Sequence, residues 1–370
     1  MAPLLRKFLG HNWFLFVVML GLLGFGLFAI YSATWMRDDE YLVTAWRKQA
    51  IWAGLGLVVY FVSSLIDYRW VRWGGLLLYV VGLVCLVLTA IIGKRVYGAK
   101  SWLAIGPINF QPSQIAIIAG ILVLALCLIY FRKLAPFWRI VLCGAVIAAP
   151  WLMILKQPDL GSAIVWAPVF LAMLFVGGIP KRYLIVMILS GLCIIPLWVN
   201  FGMKGYQRDR ITTFLDPEHD PQGSSWTINQ SMTAIGSGGW DGKGFKAPNT
   251  LNELGFLPST IVHNDFIFAV IGEQHGFIGG VFLITAFGLL LMTMLYIAYN
   301  ARDDLGLLLA VGVIALIFTH VFMNVGMTVA LTPITGLPLP LISYGGSFVV
   351  VVMFALGILQ SVWVHRQSLE

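Results

Sequence analysis

The strongest constraint on this chain is a series of apolar runs, each long enough to cross a lipid bilayer once. Ten such runs alternate with short charged or turn-forming segments, at 13–34, 49–66, 73–93, 112–131, 137–155, 160–179, 183–201, 266–299, 305–331 and 345–364. A transmembrane helix needs about 20 apolar residues, because the hydrocarbon layer is roughly 30 Å thick. Since only 11% of the 370 residues are charged, a water-soluble fold could not be covered with polar surface. The pattern predicts an all-α integral membrane protein with about ten transmembrane helices.

The basic residues predict the orientation of this bundle. An even number of crossings puts both termini on one side, and short cytoplasmic loops are enriched in Lys and Arg. On the side of the termini these segments hold eleven Lys and Arg residues, against seven in the opposite short loops. We therefore predict that both termini are cytoplasmic.

One long polar segment, 202–264, separates the seventh run from the eighth. It is rich in Gly, Pro and aromatic residues, and loops of this length in a compact protein usually carry function. We predict a single membrane domain over 1–370 with this segment as its one large external loop. A nucleic-acid partner is not expected, because the net charge of +7 is spread over many short loops instead of forming a basic patch.

Three acidic residues at or within the membrane are candidates for chemistry, because a buried carboxylate rarely persists without a partner or a task. They are Asp159, Asp265 and Glu273. Asp265 stands where the external loop meets the eighth run, and its alternative interpretation is a helix cap or dipole partner. For Asp159 the alternative is an ion pair with Lys156, three residues earlier. Glu273 lies about 12 Å further along the helix than Asp265 and could be purely structural.

Cations in or beside the external loop would suit a phosphate-containing ligand. Arg208 and Arg210 follow the seventh run, and Lys243 lies in the glycine-rich stretch "GSGGWDGKG" at 236–244. Arginine presents a fork of N–H donors that matches phosphate oxygens. The alternatives are a solvated charged surface for the arginines and an ordinary tight turn for the glycines.

Several motifs, in order, together resemble the SEDS family (shape, elongation, division and sporulation), over about residues 13–365. They are "FQPSQ" at 110–114, "QPDLGS" at 157–162, "YQRDR" at 206–210, "FLDPEHDPQG" at 214–223, "QSMTAIGSGGWDGKGF" at 230–245, "NDFIFAVIGE" at 264–273 and "GLPLPLISYGGS" at 336–347. The "GSGGWDGKGF" form is most similar to the RodA-type, cell-elongation members.

This resemblance implies a ten-span peptidoglycan glycosyltransferase of the bacterial cytoplasmic (inner) membrane. Its substrate would be lipid II, polymerised on the periplasmic side, and its partner a class B penicillin-binding protein that supplies the transpeptidase. The family's catalytic aspartate corresponds to Asp265, which would act as general base. The departing diphosphate would need Lys156, Arg208, Arg210, Lys243 or a divalent cation such as Mg²⁺ or Mn²⁺.

The sequence departs from the family pattern at three places. Gln114 and Ile117 replace an acid and a base that usually stand one helical turn apart at the start of the fourth span. Because both charges are missing together, no unpaired buried charge remains. The segment between Pro258 and Asp265 is two residues longer than in the RodA sequences it resembles. Gln274 replaces an acid that commonly follows Glu273.

The Pro- and Gly-rich segment "GLPLPLISYGGS" contains Ser343 and Tyr344 and interrupts the last apolar region. Irregular backbone at membrane depth has to line a cavity or be buried in protein. We predict that it forms part of the substrate cavity wall, with a simple external turn as the alternative.

Two other functions also fit the sequence, a flippase and an inactive scaffold. Ten spans and intramembrane acids also fit a flippase that moves the lipid-linked precursor across the membrane. The replacement of both charges at Gln114 and Ile117 also fits an inactive homologue that only scaffolds its transpeptidase partner.

Overall fold

The structure, a computed structural model, describes residues 2–36, 39–96, 99–106, 108–202, 205–215 and 224–366. The helices in chain order are α1 (Ala2–Leu9), α2 (Trp13–Thr34), α3 (Glu40–Val43), α4 (Ala45–Leu65), α5 (Val71–Ile92), α6 (Pro112–Tyr130), α7 (Pro136–Lys156), α8 (Leu160–Val176), α9 (Lys181–Phe201), α10 (Gly205–Leu215), α11 (Ser224–Ser237), α12 (Ile267–Tyr299), α13 (Asp304–Thr328) and α14 (Gly346–Val364). A 3-10 turn, Tyr68–Trp70, precedes α5.

Each of the ten apolar runs forms a helix, which confirms the all-α membrane fold class. Within the described residues, eight helices are long and apolar enough to cross a membrane. Helix α8 is apolar but has 17 residues, and α9 begins with the two basic residues Lys181 and Arg182. The count of ten crossings and the placement of the loops stay predictions.

Contacts between the connecting segments fall into two groups, one at each end of the bundle. At one end the paired residues are Lys7 with Leu65, Arg132 with Asp304, and Arg139 with Gly177. At the other end they are Asn252 with Ala33, Lys100 with Gln157, Gln111 with Asp159, and Arg210 with Ile334. Every pair joins segments that alternating crossings would place on the same side.

Helices α6, α13 and α14 form the centre of the bundle. About three quarters of the residues in the apolar part of α6 and α14 are buried, 72% and 78%, whereas only 22% are buried in α5 at the periphery. A helix that is apolar all round fits either a protein core or a lipid-facing position. The packing therefore decides which apolar helices face lipid.

Helix α12 is 33 residues long, more than one crossing requires, and it is broken at Gly276. Gly276 has φ 62° and ψ −161°, a conformation that only glycine adopts without strain. A Cβ there would stand 2.4 Å from the backbone nitrogen of Gly242, so the glycine-rich loop packs directly against the break.

A small antiparallel sheet joins α5 to α6, where the sequence predicts only a short loop. Its strands are β1 (Lys94–Val96), β2 (Ala99–Ile105) and β3 (Ile108–Phe110), in that order, and Leu103 pairs with Phe110 across β2 and β3. Strands this short carry little periodic signal, so the sequence pattern did not reveal them. The sheet is a structured element at the same end of the bundle as Gln157, which accepts from the N–H of Lys100.

Candidate functional site

A cavity of ≈ 190 Å³ opens at the end of the bundle that carries the sheet. Six elements build its wall: strand β2, the starts of α6 and α8, helix α10, the turn before α12, and the segment that leads into α14. The lining residues are Ser101, Trp102, Gln111, Pro158, Asp159, Leu160, Arg210, Ile261, Asn264, Asp265, Thr335, Gly336, Pro338, Tyr344, Gly345, Ser347 and Phe348. The cavity contains four of the residues singled out from the sequence: Asp159, Arg210, Asp265 and Tyr344.

Asp265 stands in a turn just before α12, not in the helix. Its backbone N–H donates to the carbonyl of Ile261, 2.9 Å away, and Phe266 is the N-cap of α12, with no side-chain cap. The interpretation of Asp265 as a helix cap is therefore wrong. A Cβ on Gly336, which has φ +68°, would lie 3.4 Å from Oδ2 of Asp265, so the glycine leaves the carboxylate open to the cavity.

The surroundings of Asp265 favour its protonated form. Burial raises the pKa of its carboxyl group to about 6, and the positive charge of Arg210 opposes part of this increase. The carboxylate is therefore mostly ionised at neutral pH but holds a proton more readily than an ordinary aspartate. A group with a pKa near the working pH is suited to accept a proton during a reaction.

Arg210 brings a cation into the cavity from α10. Its Nη1 donates a hydrogen bond to the carbonyl of Ile334, 3.1 Å away. This contact ties α10 to the segment that leads into α14, and it places the guanidinium charge close enough to act on Asp265. The cavity thus combines a carboxyl group of raised pKa with an arginine, a type of side chain that suits phosphate oxygens.

Asp159 has a structural task at the same cavity. Its Oδ1 accepts from the N–H of Ser162, 3.0 Å away, so it caps α8. Its Oδ2 accepts from Gln111 at 2.9 Å and from the hydroxyl of Ser162 at 2.8 Å. The alternative of an ion pair with Lys156 is wrong, because the ion pairs of the described chain include neither residue.

The segment that leads into α14 lines the cavity, as predicted, and is held in place by buried hydrogen bonds. Ser343 donates its hydroxyl to the carbonyl of Asn264 and accepts from the N–H of Leu339, 2.8 Å away. The N–H of Tyr344 donates to the carbonyl of His263, 2.9 Å away. These bonds join the segment to the turn before Asp265, so Ser343 positions the wall while Tyr344 faces the cavity.

Asn324, which was not predicted from the sequence, fixes the turn of Asp265 through backbone hydrogen bonds. This buried residue of α13 donates from Nδ2 to the carbonyls of Asp265, 3.0 Å away, and Leu337, 2.7 Å away. His320, one turn earlier, contacts the carbonyl of Pro338 at 3.3 Å. Two polar side chains four residues apart within an apolar run are costly in a membrane, and that signal could have identified them.

Lys243 and Glu273 lie outside the cavity and pair with each other. Their ion pair is 2.8 Å long, and Glu273 also accepts from the N–H of Leu251 at 2.7 Å. The backbone N–H groups of Lys243 and Gly244 donate to the carbonyls of Glu273 and Gln274, at 3.0 and 2.9 Å. These donors of the glycine-rich loop are thus used to hold α12 at its break.

The remaining predicted residues are divided between the surface and the bundle interior. Lys156 and Arg208 are exposed. Gln114 and Ile117 are buried in α6, with 3% and 0% of their surfaces exposed. Of the sequence motifs, the part at 216–223 lies outside the described residues.

The acidic residues of the cavity fit a divalent cation only if the substrate supplies further oxygens. Among the described residues, no three His, Cys, Asp or Glu side chains cluster as a protein-only metal site requires. Mg²⁺, however, is commonly held by one or two carboxylates together with substrate phosphates. Asp265 has the free carboxylate oxygens for that arrangement, whereas the oxygens of Asp159 already accept hydrogen bonds.

Comparison with known proteins gives concordant matches over nearly the whole chain. The model of the FtsW, RodA and SpoVE family, described as cell cycle proteins, matches residues 12–368. Peptidoglycan glycosyltransferase MrdB of Escherichia coli is 37% identical over 345 residues, which covers 92% of either chain.

Two solved structures share the fold. The first comes from a peptidoglycan synthase complex, with the description "Structural coordination of polymerization and crosslinking by a peptidoglycan synthase complex". Its TM-score is 0.82 at 29% identity, and the match covers 97% of this chain and 99% of that chain. The rod shape determining protein RodA of Thermus thermophilus has a TM-score of 0.71 at 28% identity, with 97% and 98% covered.

Proposed function

The chain belongs to the FtsW, RodA and SpoVE family of cell cycle proteins, and from this membership we propose that it is a peptidoglycan glycosyltransferase whose reaction takes place in the Asp265 cavity. The single observation that supports this placement best is the position of Asp265. Its carboxylate faces a cavity at the end of a membrane bundle, beside an arginine, and caps no helix. Membrane-embedded lipid and the aqueous phase both reach such a place.

Asp265 acts as the general base of the reaction. A sugar hydroxyl of the acceptor attacks the anomeric carbon of the donor, and the hydroxyl is a weak nucleophile until a base takes its proton. The new glycosidic bond forms as the bond to the polyprenyl diphosphate breaks, and the diphosphate leaves with the electron pair. Because the displacement is direct and no carboxylate bonds to the sugar, the anomeric configuration inverts.

Arg210 stabilises the negative charge that develops on the departing diphosphate. Its guanidinium is held by the carbonyl of Ile334 and reaches the same cavity as Asp265. Such fixed charges are most effective in a site of low dielectric. A divalent cation such as Mg²⁺ or Mn²⁺, held by Asp265 and the substrate, would supply further charge neutralisation.

The substrate is lipid II, and the glycan strand stays attached to its lipid while it grows. The protein works in the bacterial cytoplasmic membrane with both termini in the cytoplasm, so the Asp265 cavity faces the periplasm. A class B penicillin-binding protein is its partner, which agrees with the similarity to a synthase complex that coordinates polymerization and crosslinking.

Polymerisation of lipid II by the purified protein tests the proposal. The parent should produce glycan strands, and Asp265→Asn should produce at least about a hundredfold less, the typical contribution of a general base. Glu273→Gln is the matched control, because Glu273 lies on the next helix but outside the cavity. A variant Asp265→Asn with nearly parental activity, combined with an inactive Glu273→Gln, would contradict the assignment.

A flippase is the weaker alternative. Substrate sites of secondary transporters lie near the bilayer midplane, between repeated halves. The Asp265 cavity instead lies at one end of α6, α8 and α13. Transport of lipid II in vesicles without glycan strand formation would favour the flippase.

The scaffold alternative concerns Gln114 and Ile117. Both are buried and neutral, so the start of α6 carries no unpaired charge there. Gln114→Glu together with Ile117→Lys should leave the rate within several-fold, whereas Gln114→Glu alone should be worse, because it buries a lone carboxylate. An inactive parent that regains activity in the double variant would support the scaffold.

A further inference from the structure

A second polar cavity lies at the opposite end of the same helices. Its volume is ≈ 290 Å³, and two arginines, Arg132 and Arg139, line it together with Asp304. Helix α8 connects the two ends, because Asp159 caps its start and Gly177 follows its last residue. Seventeen helical residues span about 25 Å, so the two cavities are separated by most of a bilayer thickness.

Arg139 is a buried cation with one unpartnered donor, its Nε. Only 6% of its surface is exposed, and its Nη2 donates to the carbonyls of Leu128, at 3.2 Å, and Gly177, at 2.7 Å. These carbonyls lie at the C-terminal ends of α6 and α8, so part of the role of Arg139 is to cap two helices. Its Nε, however, has no hydrogen-bond partner, and the ion pairs of the described chain do not include Arg139.

Arg132 adds a second, accessible positive charge at the mouth of the cavity. It pairs with Asp304, but the two side chains are 71% and 58% exposed. Exposed pairs contribute only about 0–1 kcal/mol, so Arg132 can turn to another anion at little cost. With two arginines and one aspartate, the cavity carries a net positive charge.

The other part of the cavity wall is apolar. Leu128, Val176, Leu307 and Leu308 contribute it, on helices that pack within the membrane bundle. A free inorganic anion gains nothing from such a wall, whereas the first carbons of a lipid's acyl chains do. Basic pockets between transmembrane helices at the cytoplasmic side are a known way to recognise lipid head groups.

We propose that the Arg132–Arg139 cavity binds the phosphate of an anionic glycerophospholipid from the adjacent membrane leaflet, the cytoplasmic leaflet in the predicted topology. The arginines donate to the phosphate oxygens, in the geometry that guanidinium groups and phosphates share. The bound phosphate partly neutralises the buried charge of Arg139 in α7 and bridges it to Arg132, which follows α6. The site is independent of the reaction at Asp265.

Native mass spectrometry of the full chain in detergent micelles tests the site with three probes: dioctanoyl phosphatidylglycerol, dioctanoyl phosphatidylcholine and inorganic phosphate. Phosphatidylglycerol should bind at least about fivefold more tightly than phosphatidylcholine. One cation beside an anionic lipid contributes about 1 kcal/mol, which corresponds to about fivefold in affinity. Arg132→Gln should remove most of this preference. Lys133→Gln, which removes the neighbouring exposed charge outside the cavity, should retain it.

Asp304→Asn supplies a test of opposite sign. It removes the carboxylate that competes for Arg132, so the affinity for phosphatidylglycerol should rise. The factor of this increase should be about as large as the factor by which Arg132→Gln lowers the affinity. Equal losses in Arg132→Gln and Lys133→Gln would overturn the proposal in favour of diffuse surface charge. Equal binding of the two lipids would overturn the proposed selectivity for an anionic lipid. Binding of inorganic phosphate as tight as that of phosphatidylglycerol would overturn the assignment to a lipid.

Discussion

Replacing Asp265 by asparagine should inactivate the protein and, at neutral pH, stabilise it. Burial raises the pKa of this carboxyl group to about 6, from an ordinary value of about 3.8. One pKa unit corresponds to about 1.4 kcal/mol, so the ionised carboxylate costs the folded protein at most about 3 kcal/mol at pH 7. Asparagine has a similar shape and no charge to desolvate. The variant should therefore unfold a few degrees above the parent at pH 7.

The pH dependence gives the sign of this effect. Because the folded-state pKa is above the unfolded-state pKa, the folded protein holds a proton on Asp265 between about pH 4 and 6. The contribution of Asp265 to stability consequently becomes more unfavourable as the pH rises through this window. The stability difference between Asp265→Asn and the parent should be largest above pH 6 and vanish below about pH 4.

The rate should depend on the same group. Polymerisation by the parent should fall about tenfold per pH unit below about pH 6, because a protonated Asp265 cannot accept the proton of the acceptor sugar. Thermal unfolding in detergent and glycan strand formation from lipid II, measured over pH 4–8, give both curves. Asp159→Asn is the matched control: its carboxylate accepts several hydrogen bonds, so its loss should lower stability. A destabilised or fully active Asp265→Asn would refute the reasoning.

Three further changes test the rest of the site and the topology. Gly336→Ala should destabilise the protein by about 1–2 kcal/mol, because of its positive φ, and slow polymerisation by crowding Asp265; parental stability and rate would contradict this. Glu273→Gln removes the charge that pairs with Lys243, so it should lower the free energy of unfolding by about 1–3 kcal/mol and leave the rate of polymerisation within several-fold of the parent. A large loss of rate at unchanged stability would instead make Glu273 a substrate contact. Single cysteines at Ser224 and Arg302 should be labelled from opposite sides of the membrane, and labelling from the same side would overturn the predicted orientation.

The helices were predictable from the sequence because bilayer thickness sets their length. Each apolar run became a helix, and the break of α12 falls at Gly276, one of the glycines within a run too long for one crossing. The sheet over 94–110 was not predictable, since its strands are short and their pairing depends on distant contacts such as that of Lys100 with Gln157. The number of crossings also needs more than length, because α8 is shorter than a typical span.

Motif and chemistry identified Asp265, Asp159 and Arg210 as candidates, but did not say which carboxylate was free. That depends on where the hydrogen-bond donors are after folding. Ser162 and Gln111 satisfy Asp159, and Lys243 satisfies Glu273, whereas Asp265 is left facing a cavity. Gln111 lies 48 residues before Asp159 and Lys243 lies 30 residues before Glu273, so no local pattern records these two contacts.

Sequence thus established the class of fold, the family resemblance and a short set of candidate residues, because apolar length and local motifs are properties of neighbouring residues. Packing established the rest: which helices form the centre of the bundle, which acid faces the cavity, and that Asn324 holds the turn of Asp265 from α13. A carboxylate's role depends on burial and on the donors around it. Both arise only when loops from one end of the bundle meet.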